Sequence, residues 1–387
     1  MTPLNQFKTF ERLINTYDFS VPLHRFLPDF FRKNRQMGAR DRRISSRLLY
    51  HYCRLGRALS EQKLLTRLVV ADFLCSTVES DFVQYFYPAF YPYLSLPVDE
   101  KLQLVTAMFP SFCLEDVFPF IDCLSLEVEK MAFLKSHFLQ PSVFIRIHAG
   151  KEHEVRAHLL RHSIDFETYA ENVLAVPNQT KFNELFSDTF PFEIQDWASQ
   201  KTGDYFMPQS GDVWWDCCAG SGGKSLLLYA MDFSVNLVVS DVRQSILNNL
   251  FLRFKNRGLT SYVAQVLDLT QSTKAQKFTG IFDGVLLDVP CSGSGTWGRN
   301  PENITRFDRQ EIVTYQLLQR RIFSNVLPHL KVGKPLIYMT CSVFSAENED
   351  NIAFFCNQYG LKLVSQQLIK GYERRADSMF VARLIKN

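Results

Sequence analysis

Several things are missing from this 387-residue chain, and each absence closes off a class of protein. Long apolar runs are missing. The best one, "LLTRLVVADFLC", is interrupted by Arg67 and Asp72, so no membrane-crossing helix is expected. The opening residues, "MTPLNQFKTFERL", lack the apolar core of a secretory leader, and the chain is therefore expected in the cytoplasm. The nine cysteines include no C-x-x-C pair, and their number is odd. That argues for reduced thiols rather than a disulfide frame or a zinc site, and no metal is expected. Internal repeats and low-complexity tracts are absent as well.

A chain of this length exceeds one ordinary core, so two or three domains are expected. The net charge of +3 hides an asymmetry. Residues 1 to 67 hold 14 Lys/Arg against 5 Asp/Glu, a surplus of +9 that leaves −6 for the remainder. A basic arm on a mildly acidic body points to a polyanion partner. A solvated helix face would give the same count.

Residues 1 to about 138 read as helical. In "DRRISSRLLYHYCRLG", Ile44, Leu48, Leu49 and Tyr52 fall at helical spacing, Arg42, Arg43, Arg47, Arg54 and Arg57 are interleaved, and Gly56 is a plausible stop. The aromatics of "FVQYFYPAFYPYLSLP" are expected in the core. At "PSVFIRIHAG" the period changes to two, with Val143, Ile145 and Ile147 alternating with Phe144, Arg146 and His148. A helix, "KEHEVRAHLLRHS", and a strand, "NVLAVP", follow, giving a small α+β unit over 139 to 190. Its histidines, His153, His158 and His162, are expected on a solvated face.

From about 191 onward, strands and helices alternate. "VWWDCC", "NLVVSD", "YVAQVLD", "FDGVLLDVP" and "KPLIYMTCS" are short apolar runs ending in polar residues or Cys. This pattern predicts an α/β, doubly wound parallel sheet with ligands at the carboxyl ends of its strands. Those ends carry Asp216, Asp241, Asp268, Asp288, Cys291 and Cys341.

The stretch "DCCAGSGGKS" resembles a nucleotide-triphosphate loop because it ends in Gly-Lys-Ser. The strict pattern fails, since a glycine is required where Cys218 stands, and no convincing acidic partner strand follows. The alternative is an adenosine-binding turn. A strand ends at Asp216, and Gly220, Gly222 and Gly223 admit a ligand to the backbone. Asp241, 21 residues after Gly220, is spaced to accept ribose hydroxyls. This motif alone does not separate a nicotinamide cofactor from S-adenosylmethionine.

The later motifs do. "DVPCSGSGTWGRNPE" puts Asp288 and Cys291 three residues apart after a strand, and "TCS" puts Cys341 after another. Two thiols and a carboxyl beside an adenosine cofactor suit methylation of cytosine. Carbon 5 of that ring is a poor nucleophile until a thiolate adds to carbon 6, and a carboxyl can assist at N3. Cys53, Cys75, Cys113, Cys123 and Cys356 are expected to be packing residues, with Cys217 packed at its strand end.

"DCCAGSGGKS", "DVPCSGSGTWGRNPE" and "TCSVFSAENED", in that order, resemble the RsmB/Sun family of RNA cytosine-5 methyltransferases. "IQDWASQ" and "DSMFVARL" resemble its flanking motifs. The resemblance is specific from about 140 onward. It implies a Rossmann-like methyltransferase domain over 191–387, preceded by an RRM-like unit over 139–190. The first 138 residues resemble a NusB-like helical RNA-binding domain.

Roles follow from the resemblance residue by residue. Cys218, Ala219, Gly220, Ser221, Gly222, Gly223 and Lys224 would surround the methionine part of S-adenosylmethionine. Asp241 would hold the ribose, Asp268 would lie beside the adenine, and Asp288 would sit between cofactor and base. Cys341 would be the nucleophile and Cys291 would assist product release, a division that residue chemistry alone does not make.

Two positions depart from the family. Ala219-Gly220-Ser221-Gly222-Gly223-Lys224 replaces Ala-Ala-Pro-Gly-Gly-Lys, and losing the proline costs about 0.5–1 kcal/mol through the unfolded chain. Ser378-Met379 replaces Gly-Phe. The expected partner is RNA, ribosomal in preference to transfer RNA, bound by a monomer. Arg299 and Asn300 are candidates to touch it. A nucleotide-triphosphatase and a non-catalytic RNA-binding or ribosome-assembly factor on the same fold are the rival readings.

Overall fold

A computed structural model describes residues 1–271 and 281–387. The chain divides into two compact units. The first comprises Met1–Asp122, Glu129–Gln140 and Thr296–Asp308. The second comprises Cys123–Val128, Pro141–Gly295 and Arg309–Asn387.

The first unit is helical, with no strand among its described residues. Its helix Ala39–Arg54 buries Leu48, Leu49 and Cys53, the face that the sequence period marks. Gly56, at φ 55°, then ends the run in the left-handed region, as a glycine there should. Phe82 and Phe90 of the proline-broken aromatic stretch are enclosed, and Phe90 stacks on Phe73 at 4.2 Å. Tyr85 and Tyr93 of the same stretch are exposed instead.

The interleaved arginines of this helix do not all face water. Arg54 is 1% exposed. Its guanidinium donates to the carbonyls of His137 and Gly298, both at 2.7 Å, and to Gln140 at 3.1 Å. A fork with five donors is well made for gathering the loose carbonyls of several loops. Arg47 pairs with the enclosed Asp72 at 3.5 Å.

The second unit contains two sheets. The smaller one has β1 (Val143–Ile147), β2 (Glu167–Ala170), β3 (Val173–Val176) and β4 (Phe192–Ile194). Their order is β2-β3-β1-β4, all antiparallel, with helix Glu152–Arg161 after β1 and the short helix Phe182–Leu185 before β4. This is a split β-α-β arrangement. β1 does not keep one face wet as strict alternation suggests. Ile145, Ile147, Val155, Leu159, Leu174 and Val176 form a core on one side. Phe144 and Ala175 pack with Ala376 on the other. His158 also differs from expectation. It bonds the Leu185 carbonyl at 2.9 Å and packs on Phe186, so it is not on a simply solvated face.

The larger sheet has β5 (Val213–Asp216), β6 (Asn236–Asp241), β7 (Tyr262–Val266), β8 (Gly284–Asp288), β9 (Pro335–Thr340), β10 (Lys362–Ile369) and β11 (Met379–Ile385). The order is β10-β11-β9-β8-β5-β6-β7. The five expected strands pair in parallel, whereas β10 and β11 join antiparallel at one edge. β8 and β9 are enclosed along nearly their whole length, which is why they read as continuous apolar runs. Gly284 makes room for the neighbouring strand. A Cβ there would come within 2.3 Å of the Trp214 ring, which is wholly buried.

Candidate active site

The chain leaves β5 and runs outward to β6 and β7, then returns to place β8 and β9 on the other side of β5. The switch lies between β5 and β8, where a parallel sheet opens a crevice at its carboxyl ends. A cavity of about 650 Å³ occurs there, lined by the strand-end residues Cys218, Asp241, Asp268, Asp288, Cys291 and Cys341. Gly220 lines it too. Leu267, Leu269, Val289, Pro290, Leu318 and Ile322 make its walls mainly apolar.

The first loop is shaped by its glycines. Gly222, at φ 83°, is the left-handed residue before helix Gly223–Met231. Its missing Cβ would also meet Phe254 at 2.6 Å. Ala219 donates its N–H to the Ser240 carbonyl, fixing the loop against β6. Ser221 is held from outside, where Arg253 donates to both its carbonyl and its hydroxyl at 3.0 Å. The Gly220 N–H donates to Asp241 at 3.0 Å. Asp241 also receives the Arg243 N–H at 2.9 Å, so its carboxylate is oriented toward the loop before any ligand arrives. Asp268 is held by Thr270 and Gln271.

Lys224 does not point outward as a phosphate-binding lysine would. It is 7% exposed, and its Nζ donates to Asp288 at 3.1 Å and to Ser199 at 2.8 Å. Ser199 belongs to the "IQDWASQ" stretch, and Gln195 of that stretch donates to it at 3.2 Å. The stretch is therefore a support for Lys224, a role its sequence does not announce.

The two thiols meet. The sulfurs of Cys291 and Cys341 lie 3.2 Å apart, brought together from loops 50 residues apart in sequence. The Cys291 thiol is pushed well up, first by its hydrogen bond with Cys341, then by burial and by the charges of Cys341 and Glu347. Cys217 is buried and bonds the Leu286 carbonyl, the packing role expected of it. Of the other cysteines, Cys53 is buried and Cys113 is exposed. Cys113 precedes the short turn Leu114–Val117, where no element covers it. Asp216, 1% exposed, accepts from Ser225 at 2.6 Å, while its other oxygen has no partner among the described residues. Burial, with the charges of Asp288 and Asp241, raises its carboxyl to about 7.

Three contributors were not legible. Tyr315, Leu318 and Ile322 come from helix Gln310–Val326, whose period marks only an amphipathic helix. Arg299 and Asn300, expected near the substrate, are half-buried in the helical unit. Among the described residues there is no cluster of side chains suited to a metal ion and no helix long and apolar enough to cross a membrane.

Residues 205–384 match the family model "16S rRNA methyltransferase RsmB/F". The ribosomal RNA small subunit methyltransferase B of Salmonella paratyphi B is 32% identical over 205 residues, covering 50% of this chain and 46% of that one. The chain thus spans about half the length of the curated relatives it matches. Among solved structures, PH0851 superposes with a TM-score of 0.69 at 22% identity, covering 97% of both chains. NSun6 from Pyrococcus horikoshii, solved with SFG, gives 0.56 at 15% identity over 69% of this chain and 99% of that one. Fold and sequence match converge, and over residues 205–384 the chain is similar to the RsmB/F methyltransferases.

Proposed function

We propose that the protein methylates carbon 5 of cytosine in RNA, using S-adenosylmethionine and a covalent adduct to Cys341. The observation that carries this reading is the 3.2 Å approach of the Cys291 and Cys341 sulfurs at a cavity that Asp288 also lines. One structural pair of buried thiols would need no such opening.

The cavity suits the cofactor in size and lining. Its apolar wall fits an adenine, Asp241 offers a carboxylate to ribose hydroxyls, and Gly220 leaves the backbone uncovered. Cys218 to Lys224, Asp241, Asp268 and Asp288 would hold it. When bound, S-adenosylmethionine supplies an electrophilic methyl group on a sulfonium.

The Cys341 thiolate adds to carbon 6 of the cytosine and turns carbon 5 into a nucleophile. Asp288, positioned by Lys224, takes up a proton before the addition and donates it to N3 of the target base, neutralising the negative charge that develops there. After methylation a base removes the carbon 5 proton, the bond to sulfur breaks, and the Cys341 thiolate leaves. Cys291, whose raised thiol keeps its proton at neutral pH, assists that breakdown.

The RNA is gripped through its phosphates by residues 1 to 190, with ribosomal RNA preferred. Arg25, Arg32, Lys33, Arg35, Arg40 and Arg43 are exposed on the helical unit and suit this task. The target base is single-stranded or flipped out, at a cost of a few kcal/mol.

The test is bisulfite mapping of total RNA from cells with and without the gene, followed by transfer to purified ribosomal and transfer RNA. Cys341→Ala is expected to abolish turnover, and Cys291→Ala to accumulate a protein–RNA adduct on denaturing gels. An adduct trapped by Cys341→Ala would reverse the two roles. Wild-type protein that methylates no RNA would sink the reading.

A further inference from the structure

Next to the two thiols lies an enclosed carboxyl that the mechanism does not use. Glu347 sits in a short turn, Ser345–Glu347, just before helix Glu349–Tyr359, and is 0% exposed. Burying a carboxyl is costly unless its oxygens are well partnered, and these are. One oxygen accepts from the Ser292 hydroxyl at 2.5 Å and the Ser342 hydroxyl at 2.6 Å. The other accepts from the Ser292 N–H at 2.9 Å and the Gln319 amide at 2.8 Å.

The identity of these donors matters. Ser292 follows Cys291, and Ser342 follows Cys341. The loops after β8 and β9 therefore share one anchor, reached from the residue next to each sulfur. Ser294 adds a second tie, since its hydroxyl bonds that of Ser342 at 3.1 Å and accepts the Val343 N–H at 2.9 Å. Tyr338 and Asn351 wall the anchor on its far side, where Tyr338 donates to the Glu347 carbonyl at 2.8 Å. An apolar residue at 347 would fill this volume but join nothing, and it would leave a buried backbone N–H without an acceptor.

We infer that Glu347 is a positioning residue that sets the spacing of the Cys291 and Cys341 sulfurs by tying the two loops to one carboxylate. Its catalytic consequence rests on the methyl-transfer reading above, whereas the spacing itself does not. The negative charge of Glu347 also helps to hold the Cys291 thiol up.

The experiment reads sulfur spacing directly. Purified full-length protein is treated with diamide, which takes two electrons and two protons from a pair of nearby thiols, and the Cys291–Cys341 bridge is followed by peptide mass spectrometry. Glu347→Ala is expected to slow bridging at least tenfold while binding of S-adenosylhomocysteine stays within twofold of wild type. Glu347→Gln keeps the shape, because its carbonyl takes the two N–H donors and its amide donates to the two hydroxyls, which can rotate. It is expected within about threefold of wild type. Bridging by Glu347→Ala as fast as wild type would overturn the inference. Should Glu347→Ala fail to fold, the Ser292→Ala, Ser342→Ala double variant takes its place with the same two outcomes. A wild type that bridges quickly but methylates no RNA, with bridging lost in the variant, would uphold the positioning role and reject the proposed reaction.

Discussion

Asp72 in the helical unit and Asp216 in the sheet unit are both enclosed carboxylates, 0% and 1% exposed, yet their surroundings drive them apart. Burial raises both. Around Asp72 it is overcome by His51 at 2.8 Å, Arg47 at 3.5 Å and the hydroxyls of Ser76 and Ser80, which hold the carboxyl down at about 2. Among the described residues Asp216 has a single hydroxyl donor, one oxygen without a partner, and two further acids nearby, and it rises to about 7. The first arrangement gives both carboxylate oxygens partners and ties helices together. The second lies behind the loop that lines the cavity, and strain of that kind collects where a protein keeps groups ready for a ligand.

The largest way to test this contrast is to remove the satisfied anion. Asp72→Ala leaves His51 and Arg47 facing an empty site and is expected to cost about 3–5 kcal/mol in urea unfolding. A loss below 1 kcal/mol would mean that the network contributes little. Acid should act on the same group. A carboxyl held low contributes stability above its ordinary value near 4 and loses it as pH falls toward 2. About 2 kcal/mol should vanish over that window, read as faster amide exchange in helices Ala39–Arg54 and Leu64–Cys75.

Asp216 should show the opposite sign. Its proton is kept to about pH 7 when folded and lost near 4 when unfolded, so its cost grows as pH rises between those values. Asp216→Asn is expected to stabilise the protein by about 1–2 kcal/mol at pH 8 and by little at pH 4, measured by thermal melting at both. Equal effects at the two values would break the comparison. The smallest effect belongs to a thiol that neither network uses. Cys113→Ser, at an exposed turn, should stay within about 0.5 kcal/mol of wild type in the same melts.

The legible parts of this molecule were local. The period in "DRRISSRLLYHYCRLG" marks the buried face of its helix, and the apolar runs ending in Asp or Cys mark five strands with their chemistry at one end. Arg54 was not legible. Its position on the helix is the same whether it meets solvent or two segments that arrive from distant sequence. β10 and β11 were equally hidden. The exposed "KLVSQQ" half of β10 carries no continuous apolar run, because one face of an edge strand can stay wet.

By itself the sequence determined the order of strand, loop and helix, the glycines that open the first loop, and which strand ends carry Asp and Cys. These depend on neighbours within a few residues, where backbone sterics and spacing act. Tertiary structure alone decided that two sulfurs 50 residues apart lie at 3.2 Å, that Glu347 anchors both of their loops, and that the Asp216 and Asp72 carboxyls are shifted in opposite directions. Each of these depends on which distant groups packing brings into hydrogen-bond range, and on how much water that packing excludes.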